Sequence, residues 1–264
     1  MKQILEYYRN YDEEGRLMRS PAHQMEFITT THVINKLIQV NDRIIEIGAG
    51  TGRYSFYYAE KGFEVSAVEL VPENVAIMRK KLSKKYAGSL RLMITQGDAR
   101  DLSIFPAESF ELALCLGPIY HLPDPAEKEK AIREGLRVLK PGGVLAVAYI
   151  NKFAVYLSTL IDEGGFKNPT ILKNILNHGA TYLDDCDCFY FTTPEEMEDL
   201  MEKFDIEPIT QVATDGVNYF GIVNKLPADE LPFWIENHLA TCEQPSLLGY
   251  SLHGLYLCRK SKDC

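Results

Sequence analysis

The sequence predicts an α/β protein in which a mostly parallel sheet is covered by helices on both faces. Five short apolar segments recur along residues 43–150, and stretches with helical patterning separate them. Two of these segments, residues 112–116 and 144–148, are almost continuously apolar, which is typical of strands buried on both faces. Buried helices are the weaker interpretation because the segments are short and end in Gly, Pro or acidic residues. The alternation of strand and helix therefore indicates one dominant α/β fold.

Composition and charge narrow the classes of function. The 264 residues are 46% hydrophobic and 25% charged, which are ordinary values for a globular chain. Lys and Arg number 28 against 37 Asp and Glu, and the formal charge of −9 disfavours non-specific binding of nucleic acid or anionic lipid. No apolar run approaches the roughly 20 residues that span a bilayer, residues 1–10 lack a secretion signal, and the cysteines show no repeated spacing. We therefore expect a cytoplasmic protein with reduced thiols and no membrane partner.

The predicted elements of the core follow in chain order. Strands are expected at residues 43–47, 63–68, 90–95, 110–116 and 144–150. An apolar stripe from Val75 to Leu82 predicts a helix after Pro72, with the basic residues of this stretch facing outward. A similar stripe from Ile132 to Leu139 predicts a second helix. We expect residues 140–143, Lys-Pro-Gly-Gly, to end that helix and turn the chain into the fifth strand.

Four regions are predicted along the chain. They are an N-terminal helical lid at 1–40, the core at 41–150, a lid insertion at 151–192 and the C-terminal part of the core sheet at 193–264. The N-terminal lid contains a helix that begins at Ser20-Pro21 and runs through Leu37. Thr193 and Glu196 have the spacing of a capping box at a helix start. The last region is expected to contain a strand at 206–213, a helix at 231–239 and a strand at 252–258.

A glycine-dense turn follows the first strand. Gly48, Gly50 and Gly52 form a G-x-G-x-G pattern that opens a helix, and Glu46 lies two residues before it. Because glycine has no Cβ, a ligand can press against bare main chain, and the start of the helix offers free N–H donors. A dinucleotide fingerprint would place its third glycine five residues after the first, where this sequence has Arg53. The spacing therefore disfavours a nicotinamide oxidoreductase.

These residues resemble the class I S-adenosylmethionine-dependent methyltransferases, and two further marks extend the resemblance. An acidic residue, Glu69, ends the second strand, and Gln96-Gly97-Asp98-Ala99 follows the third. The resemblance implies a Rossmann-like, seven-stranded, mostly parallel sheet and S-adenosyl-L-methionine as the cofactor. It also implies that Glu69 accepts hydrogen bonds from the ribose hydroxyls and that Asp98 accepts one from the adenine amino group. The implied cofactor-binding residues are Glu46, Gly48, Ala49, Gly50, Gly52, Glu69, Leu70, Asp98, Ala99, Cys115 and Leu116.

The segment after the fourth strand is expected to face the transferred methyl group. Residues 115–122 lack the Asn or Asp followed by Pro-Pro-aromatic that enzymes methylating amino groups of nucleobases or glutamine place here. The segment instead resembles a bacterial small-molecule branch of the family. Residues 11–17 also resemble the Y-D-E-x-x-R-L start of that branch, with one residue inserted. The resemblance therefore implies a small-molecule acceptor.

Three residues are candidates for the catalytic group. His121 is the first, because an unperturbed imidazole titrates near neutral pH, although it could equally bond the backbone or pack on the adenosine. Its neighbour Tyr120 is the second. His253 on the last strand is the third, with a structural role as its alternative. The phenol rings of the lid, Tyr7, Tyr8 and Tyr11, are expected to close over the cofactor or to serve as packing.

The sequence also contains one motif typical of metal ligands and leaves other functions open. Cys186 and Cys188 form C-x-C with only distant histidines, so we expect no metal, and residues 189–191 are interpreted as an aromatic wall of the lid. Methylation of RNA or of a protein is an alternative and would need a positive groove near residues 79–85. A non-catalytic S-adenosylmethionine-binding protein is another. We expect a small-molecule acceptor as the partner, no nucleic acid, and a monomer or homodimer.

Overall fold

One mixed sheet runs through the molecule. The structure, a computed structural model, describes residues 2–87, 89–162, 167–182, 188–217 and 221–262. The strands of these residues are β1 (Arg43–Ile47), β2 (Glu64–Glu69), β3 (Leu92–Gln96), β4 (Phe110–Cys115), β5 (Leu139–Asn151), β6 (Phe191–Thr192), β7 (Ile206–Ala213) and β8 (His253–Lys260). Their order is β3-β2-β1-β4-β5-β8-β7, and β6 pairs with β5. Strands β1 to β6 pair in parallel, and β8 is antiparallel to both of its neighbours. The predicted fold class is confirmed.

Helices cover the sheet and extend beyond it. Those of the described residues are α1 (Lys2–Asn10), α2 (Pro21–Asn35), α3 (Arg53–Glu60), α4 (Pro72–Lys85), α5 (Pro125–Val138), α6 (Lys152–Asp162), α7 (Pro169–His178), α8 (Pro194–Met201), α9 (Leu231–Thr241) and α10 (Pro245–Leu248). The capping box at the start of α8 is confirmed, because Thr193 Oγ1 accepts from the Glu196 amide at 3.1 Å while the Glu196 carboxylate accepts from the Thr193 amide at 2.9 Å. No described helix has the length and apolarity that a membrane span requires.

Several predicted boundaries were wrong. The bounds of β2, β3, β4, α9 and β8 differ from the predicted ones by one or two residues, and those of α2 and β5 differ as well. Helix α2 ends at Asn35, before the predicted Leu37, and Ser20 makes no side-chain cap because its hydroxyl lies 2.8 Å from His23 Nδ1. Strand β5 begins at Leu139, five residues before the predicted start at Val144. The register between β4 and β5 shifts at these extra residues, since Phe110 pairs with Leu139 but Leu112 pairs with Val144. Gly142 lies within this irregularity at a φ of +76°, which glycine adopts without the steric penalty of a side chain.

The core lies on both faces of the sheet. Ile44 and Ile45 are adjacent, both are fully buried, and they belong to different hydrophobic clusters on the two faces. This is the two-sided burial that the apolar runs predicted. Because β1 to β5 are parallel, their carboxyl ends meet at one edge, and the loops that follow them are brought together there.

Candidate cofactor and acceptor site

A cavity of about 770 Å³ opens at this edge of the sheet. Its volume lies within the ~300–1,000 Å³ of small-molecule sites. The sequence-predicted residues that line it are Glu46, Gly48, Ala49, Gly50, Glu69, Leu70, Asp98, Ala99, Leu116, Tyr120, His121 and His253. The folded chain therefore brings together residues that lie more than 200 positions apart in sequence.

The glycine loop presents main chain to the cavity. Gly48 and Gly50 have φ of +77° and +54°, which side-chain-bearing residues rarely adopt. A Cβ on Gly48 would lie 2.7 Å from Pro118 Cδ, and one on Gly50 would lie 3.2 Å from Glu13 Cγ. The amides of Gly48 and Ala49 donate to the Val68 carbonyl at 2.8 and 3.0 Å, which fixes the loop against β2. Gly48 and Gly50 are therefore positions where a side chain would be strained and crowded.

Two predicted cofactor residues do not line the cavity. Gly52 precedes α3 at a φ of +85°, and its missing Cβ would lie 2.9 Å from Met78 Sδ, so glycine is required there by packing against α4. Cys115 is 2% exposed at the end of β4 and faces the hydrophobic core. Burial raises the pKa of its thiol to about 12, which keeps it protonated at neutral pH. We therefore assign both residues to the scaffold of the site.

Glu69 lines the cavity at the end of β2. One of its carboxylate oxygens accepts from the Gly50 amide at 2.7 Å, and the other accepts from the Val71 amide at 2.8 Å. Burial is the largest influence on this carboxylate and raises its pKa, against the hydrogen bonds that lower it. A carboxylate offers about four acceptor positions, so both oxygens keep capacity for a ligand's hydroxyl groups.

Glu46 is the most deeply buried carboxyl group of the loop region. It is 2% exposed, and the Ser55 hydroxyl of α3 donates to it. Burial raises its pKa to about 8, so the group is largely protonated at neutral pH. Its contact with Ser55 connects β1 to the helix that the glycine loop opens.

Asp98 is held by a residue that the sequence interpretation missed. Arg100 donates to it from its backbone amide at 2.9 Å, from Nε at 2.9 Å and from Nη2 at 2.6 Å. These hydrogen bonds are the main cause of the lowered pKa of Asp98, which stays ionised. Arg100 also contacts Glu127 of α5. The aspartate therefore has a fixed orientation at the cavity wall.

His121 and Tyr120 have their polar atoms engaged. The Tyr120 hydroxyl donates to the Leu116 carbonyl at 3.2 Å. His121 Nδ1 lies 2.6 Å from the Cys188 carbonyl, which can only accept, so the ring proton is on Nδ1 and Nε2 accepts from the Tyr8 hydroxyl at 3.0 Å. Burial lowers the pKa of His121 to about 4. The geometry therefore favours a structural connection between the two lids over the predicted role of base.

The lid tyrosines contact this connection. Tyr7 packs edge-on against Phe189 with ring centroids 5.1 Å apart, and it stacks on Tyr11 at 5.2 Å. His121 lies 4.9 Å from the Phe189 ring and 5.6 Å from the Tyr8 ring. All five side chains line the cavity. They form one aromatic wall built from the N-terminal lid, the segment after β4 and the insertion.

The third candidate, His253, is part of a charged cluster that sequence reasoning did not assemble. Glu13, Arg16, Glu26, Asp215 and His253 line the same cavity, and we call them the polar cluster. Arg16 binds Glu26 through two hydrogen bonds of 2.7 and 3.2 Å and binds Glu13 at 3.1 Å. Glu26 lies 3.7 Å from His253 Nδ1. The cluster joins the N-terminal lid to the ends of β7 and β8.

His253 is oriented by Asp215. Its Nδ1 donates to Asp215 Oδ2 at 2.8 Å, while Asp215 Oδ1 accepts from Ser251 Oγ and from the His253 amide. Burial lowers the pKa of His253, but Glu26 and Asp215 outweigh it and the net pKa is raised from 6.5. In the neutral ring the lone pair lies on Nε2, which has no hydrogen-bond partner among the described residues. This arrangement can accept a proton inside the cavity.

Only two residues of the polar cluster lie in a sequence stretch that resembles a known family. Glu13 and Arg16 fall in the stretch that resembles the family's bacterial branch, but nothing in that resemblance assigned them a role. Glu26 lies within a helix and Asp215 follows a strand in which no motif is visible. Their contacts arise only when α2, β7 and β8 meet in the folded chain.

Two other predictions concern metal and nucleic acid. Residues 184–187 lie outside the described residues, and within the described ranges no group of three metal-ligating side chains converges. In the basic stretch of α4, Lys81 contacts Glu14 and the Thr51 carbonyl, and Lys85 lies 3.4 Å from Glu60. These side chains are thus engaged with the protein surface. The absence of a nucleic-acid partner stays a prediction.

The chain is similar in sequence to known methyltransferases. Residues 45–147 match the family model described as a methyltransferase domain. Over 192 residues the chain is 27% identical to the ubiquinone biosynthesis O-methyltransferase of Xanthomonas oryzae pv. oryzae strain PXO99A, covering 67% of this chain and 77% of that protein. The enzyme of the same name from Xanthomonas axonopodis pv. citri is 28% identical, with the same coverage.

Solved structures share the fold. A S-adenosylmethionine-dependent methyltransferase from Methanosarcina mazei superposes with a TM-score of 0.60 at 19% identity, over 87% of this chain and 97% of that one. The 1,6-didemethyltoxoflavin-N1-methyltransferase of Burkholderia thailandensis, crystallised with S-adenosylhomocysteine, gives 0.57 at 16% identity, over 98% and 88%. At these identities the likeness concerns the fold.

Proposed function

This chain is an S-adenosylmethionine-dependent methyltransferase, and we propose that it methylates a hydroxyl group of a small planar molecule in the cytoplasm. The observation that carries the proposal is the Asp215–His253 pair on the wall of the cavity that also contains the glycine loop. Similarity to O-methyltransferases of ubiquinone biosynthesis supports it. Whether the enzyme is a monomer or a homodimer stays a prediction.

The cavity residues fit the cofactor. The glycine loop lines the cavity with main chain at Gly48 and Gly50, and Glu69 keeps acceptor capacity for a ribose. By the family resemblance, Glu69 would hold the ribose and Asp98 with Ala99 the adenine. When bound, S-adenosylmethionine would supply a methyl group on a sulfonium, whose methyl carbon is attacked directly by a nucleophile while the sulfur leaves as a neutral thioether. The protein's task is to position the acceptor, exclude water and remove a proton where the nucleophile needs it.

His253 is the proposed proton acceptor. A hydroxyl group is a weak nucleophile until its proton leaves, and a positioned base contributes about 10²–10⁴-fold. Asp215 fixes the ring with Nδ1 protonated, so the basic Nε2 is available. Because the group acts in its neutral form, activity should rise with pH as His253 loses its proton.

The aromatic wall supports a planar acceptor. Tyr7, Tyr8 and Phe189 line the cavity, and Tyr7 packs edge-on against each of the other two rings. Aromatic groups pack favourably on such faces. The wall and the polar cluster together would accommodate a ring that carries a hydroxyl group.

An amine acceptor is the second candidate, and the excess of carboxylates favours it. The polar cluster contains three carboxylates against one arginine and one histidine. Such a wall attracts a protonated amine. Neutral Nε2 of His253 could then remove the ammonium proton before attack, so the two classes must be separated by experiment.

Incubation with labelled S-adenosylmethionine and a matched panel tests the proposal. The panel contains catechols, phenols, aromatic amines, aliphatic amines, thiols and carboxylates, each offered to the wild type and to Asp215→Asn. We expect turnover of hydroxyl acceptors and a kcat about 100-fold lower for the variant, with little change in cofactor affinity. Turnover restricted to amines would favour the second candidate. Absence of turnover across the panel by cofactor-loaded protein would contradict both.

A further inference from the structure

Ser251 lies behind the Asp215–His253 pair and does not line the cavity itself. It is fully buried, two residues before the start of β8. Its Oγ accepts from the amides of Asp215 and Gly216 at 3.1 and 2.9 Å. The same hydroxyl donates to Asp215 Oδ1. One hydroxyl group therefore holds both the main chain and the side chain of Asp215.

The single proton of this hydroxyl has two acceptors within reach. They are Asp215 Oδ1 and the His253 carbonyl, which lies 2.7 Å from Ser251 Oγ. That carbonyl already accepts from the amide and the hydroxyl of Thr214, at 3.1 and 2.9 Å, so both of its lone pairs are engaged. A hydrogen bond to a carboxylate is also stronger than one to a neutral carbonyl. The Ser251 proton is therefore donated to Asp215.

Asp215 has little freedom once this hydrogen bond is made. Its Oδ1 accepts from the Ser251 hydroxyl and from the His253 amide, and its Oδ2 lies 2.8 Å from His253 Nδ1. Gly216 follows with a φ of +59°, and a Cβ there would lie 2.7 Å from His238 Nδ1, so α9 packs against the other side of this loop. The carboxylate therefore points at the imidazole in one direction and keeps the ring proton on Nδ1.

We propose that Ser251 is a positioning residue that keeps the proton of neutral His253 on Nδ1 by orienting Asp215. A neutral imidazole can carry its proton on either nitrogen, and only the form with Nδ1–H presents a basic Nε2 to the cavity. Because Ser251 does not line the cavity, it acts through Asp215 and not on a ligand. The inference deepens the proposed function, because it rests on His253 as the proton acceptor.

Heteronuclear NMR of the histidine rings tests the proposal without an acceptor, at a pH at which His253 is neutral. The proteins are the wild type, Ser251→Ala, Ser251→Cys and Ser55→Ala, which removes an equally buried hydroxyl from Glu46. In the wild type we expect a protonated Nδ1 and an unprotonated Nε2. In Ser251→Ala the proton should move in part to Nε2, and kcat for a hydroxyl acceptor should fall about tenfold while KM changes less than about twofold. Ser55→Ala should keep the wild-type signals of His253.

Ser251→Cys guards against a folding defect in the alanine variant. A thiol fills the space of the hydroxyl but is a weaker hydrogen-bond donor and acceptor, so we expect the same change to a smaller extent. Wild-type proton positions in whichever of the two variants folds would overturn the proposal, and so would a wild-type His253 protonated on Nε2. A moved proton with unchanged kcat would support the positioning role of Ser251 and contradict His253 as the proton acceptor, which separates the two failures.

Discussion

The two halves of the cavity are built in different ways. In the cofactor half, consecutive residues at the ends of neighbouring strands supply main chain and fixed carboxylates, as in Gly48–Gly50 and Glu69. In the acceptor half, a network of side chains from distant elements supplies the chemistry, as in Arg16, Asp215 and His253. Under the proposed function, cofactor binding would depend on backbone geometry, whereas acceptor activation would depend on side-chain contacts between the N-terminal segment and the last strands.

The largest effect should follow from a change in the acceptor half. His253→Gln removes the basic nitrogen, so we expect kcat for a hydroxyl acceptor to fall about 100- to 1,000-fold while the Kd for S-adenosylmethionine changes less than about twofold. Steady-state kinetics and calorimetry measure the two quantities. His178→Gln, at an exposed position at the end of α7, is the control. A large loss of cofactor affinity would show that the two halves are not separable in this way.

A change in the cofactor half should instead weaken the binding of S-adenosylmethionine. Gly50→Ala strains a left-handed residue and crowds Glu13, so we expect the Kd for S-adenosylmethionine to rise about 10- to 100-fold. Gly62→Ala is a matched control, because Gly62 has a φ of +92° but open space where a Cβ would point. Calorimetry should show normal affinity for the control. Similar affinity losses in both variants would mean that backbone strain, and not the site, is responsible.

The pH dependence sharpens the role of the acceptor half. The pKa of His253 is raised, because Glu26 and Asp215 outweigh the lowering effect of burial. Its neutral form therefore appears only as pH rises through a value above 6.5, and kcat should rise over the same range. In Asp215→Asn the inflexion should move to lower pH, because one of the two carboxylates is lost. A pH–rate profile that is flat, or unchanged in the variant, would remove His253 from the mechanism.

The smallest effect concerns stability in the cofactor half. Burial raises the pKa of Glu46 to about 8, so the folded state keeps a proton that the unfolded state loses near its ordinary value of 4.5. The free energy of unfolding should therefore fall as pH rises from 4.5 to 8. Glu46→Gln should remove part of this fall and be about 1–3 kcal/mol more stable than the wild type at pH 8, measured by urea unfolding. Glu64→Gln, at the exposed start of β2, should keep the wild-type dependence.

The sequence alone predicts the cofactor half of the cavity better than the acceptor half. The bounds of β1 were predicted correctly, and Glu69 was correctly predicted to end β2. Both predictions rest on short apolar runs and glycine turns, which are local signals. Helix α2 ended early and β5 began early because packing and strand pairing override local propensity. The contacts of Glu26 and Asp215 with His253 could not be predicted, since nothing local marks a residue whose partner is 38 or more positions away.

For His121 the sequence predicted the position of the residue but not its role. Its position after β4 was predicted correctly and it lines the cavity. Its hydrogen bonds to Tyr8 and Cys188 depend on where the N-terminal segment and the segment before β6 pack against it, which no local pattern encodes. The residue type indicated a base, but the neighbours in the fold leave neither ring nitrogen free. Chemistry at such a position is decided by its partners.

A crystal structure of the complex with S-adenosylhomocysteine tests the central claim most directly. We expect the adenosine to contact Glu69 and Asp98 and the sulfur to face the part of the cavity that contains His253 Nε2, with room for a planar ring between them. A sulfur atom enclosed by protein on the side of His253, or a nucleoside bound away from the glycine loop, would contradict the account.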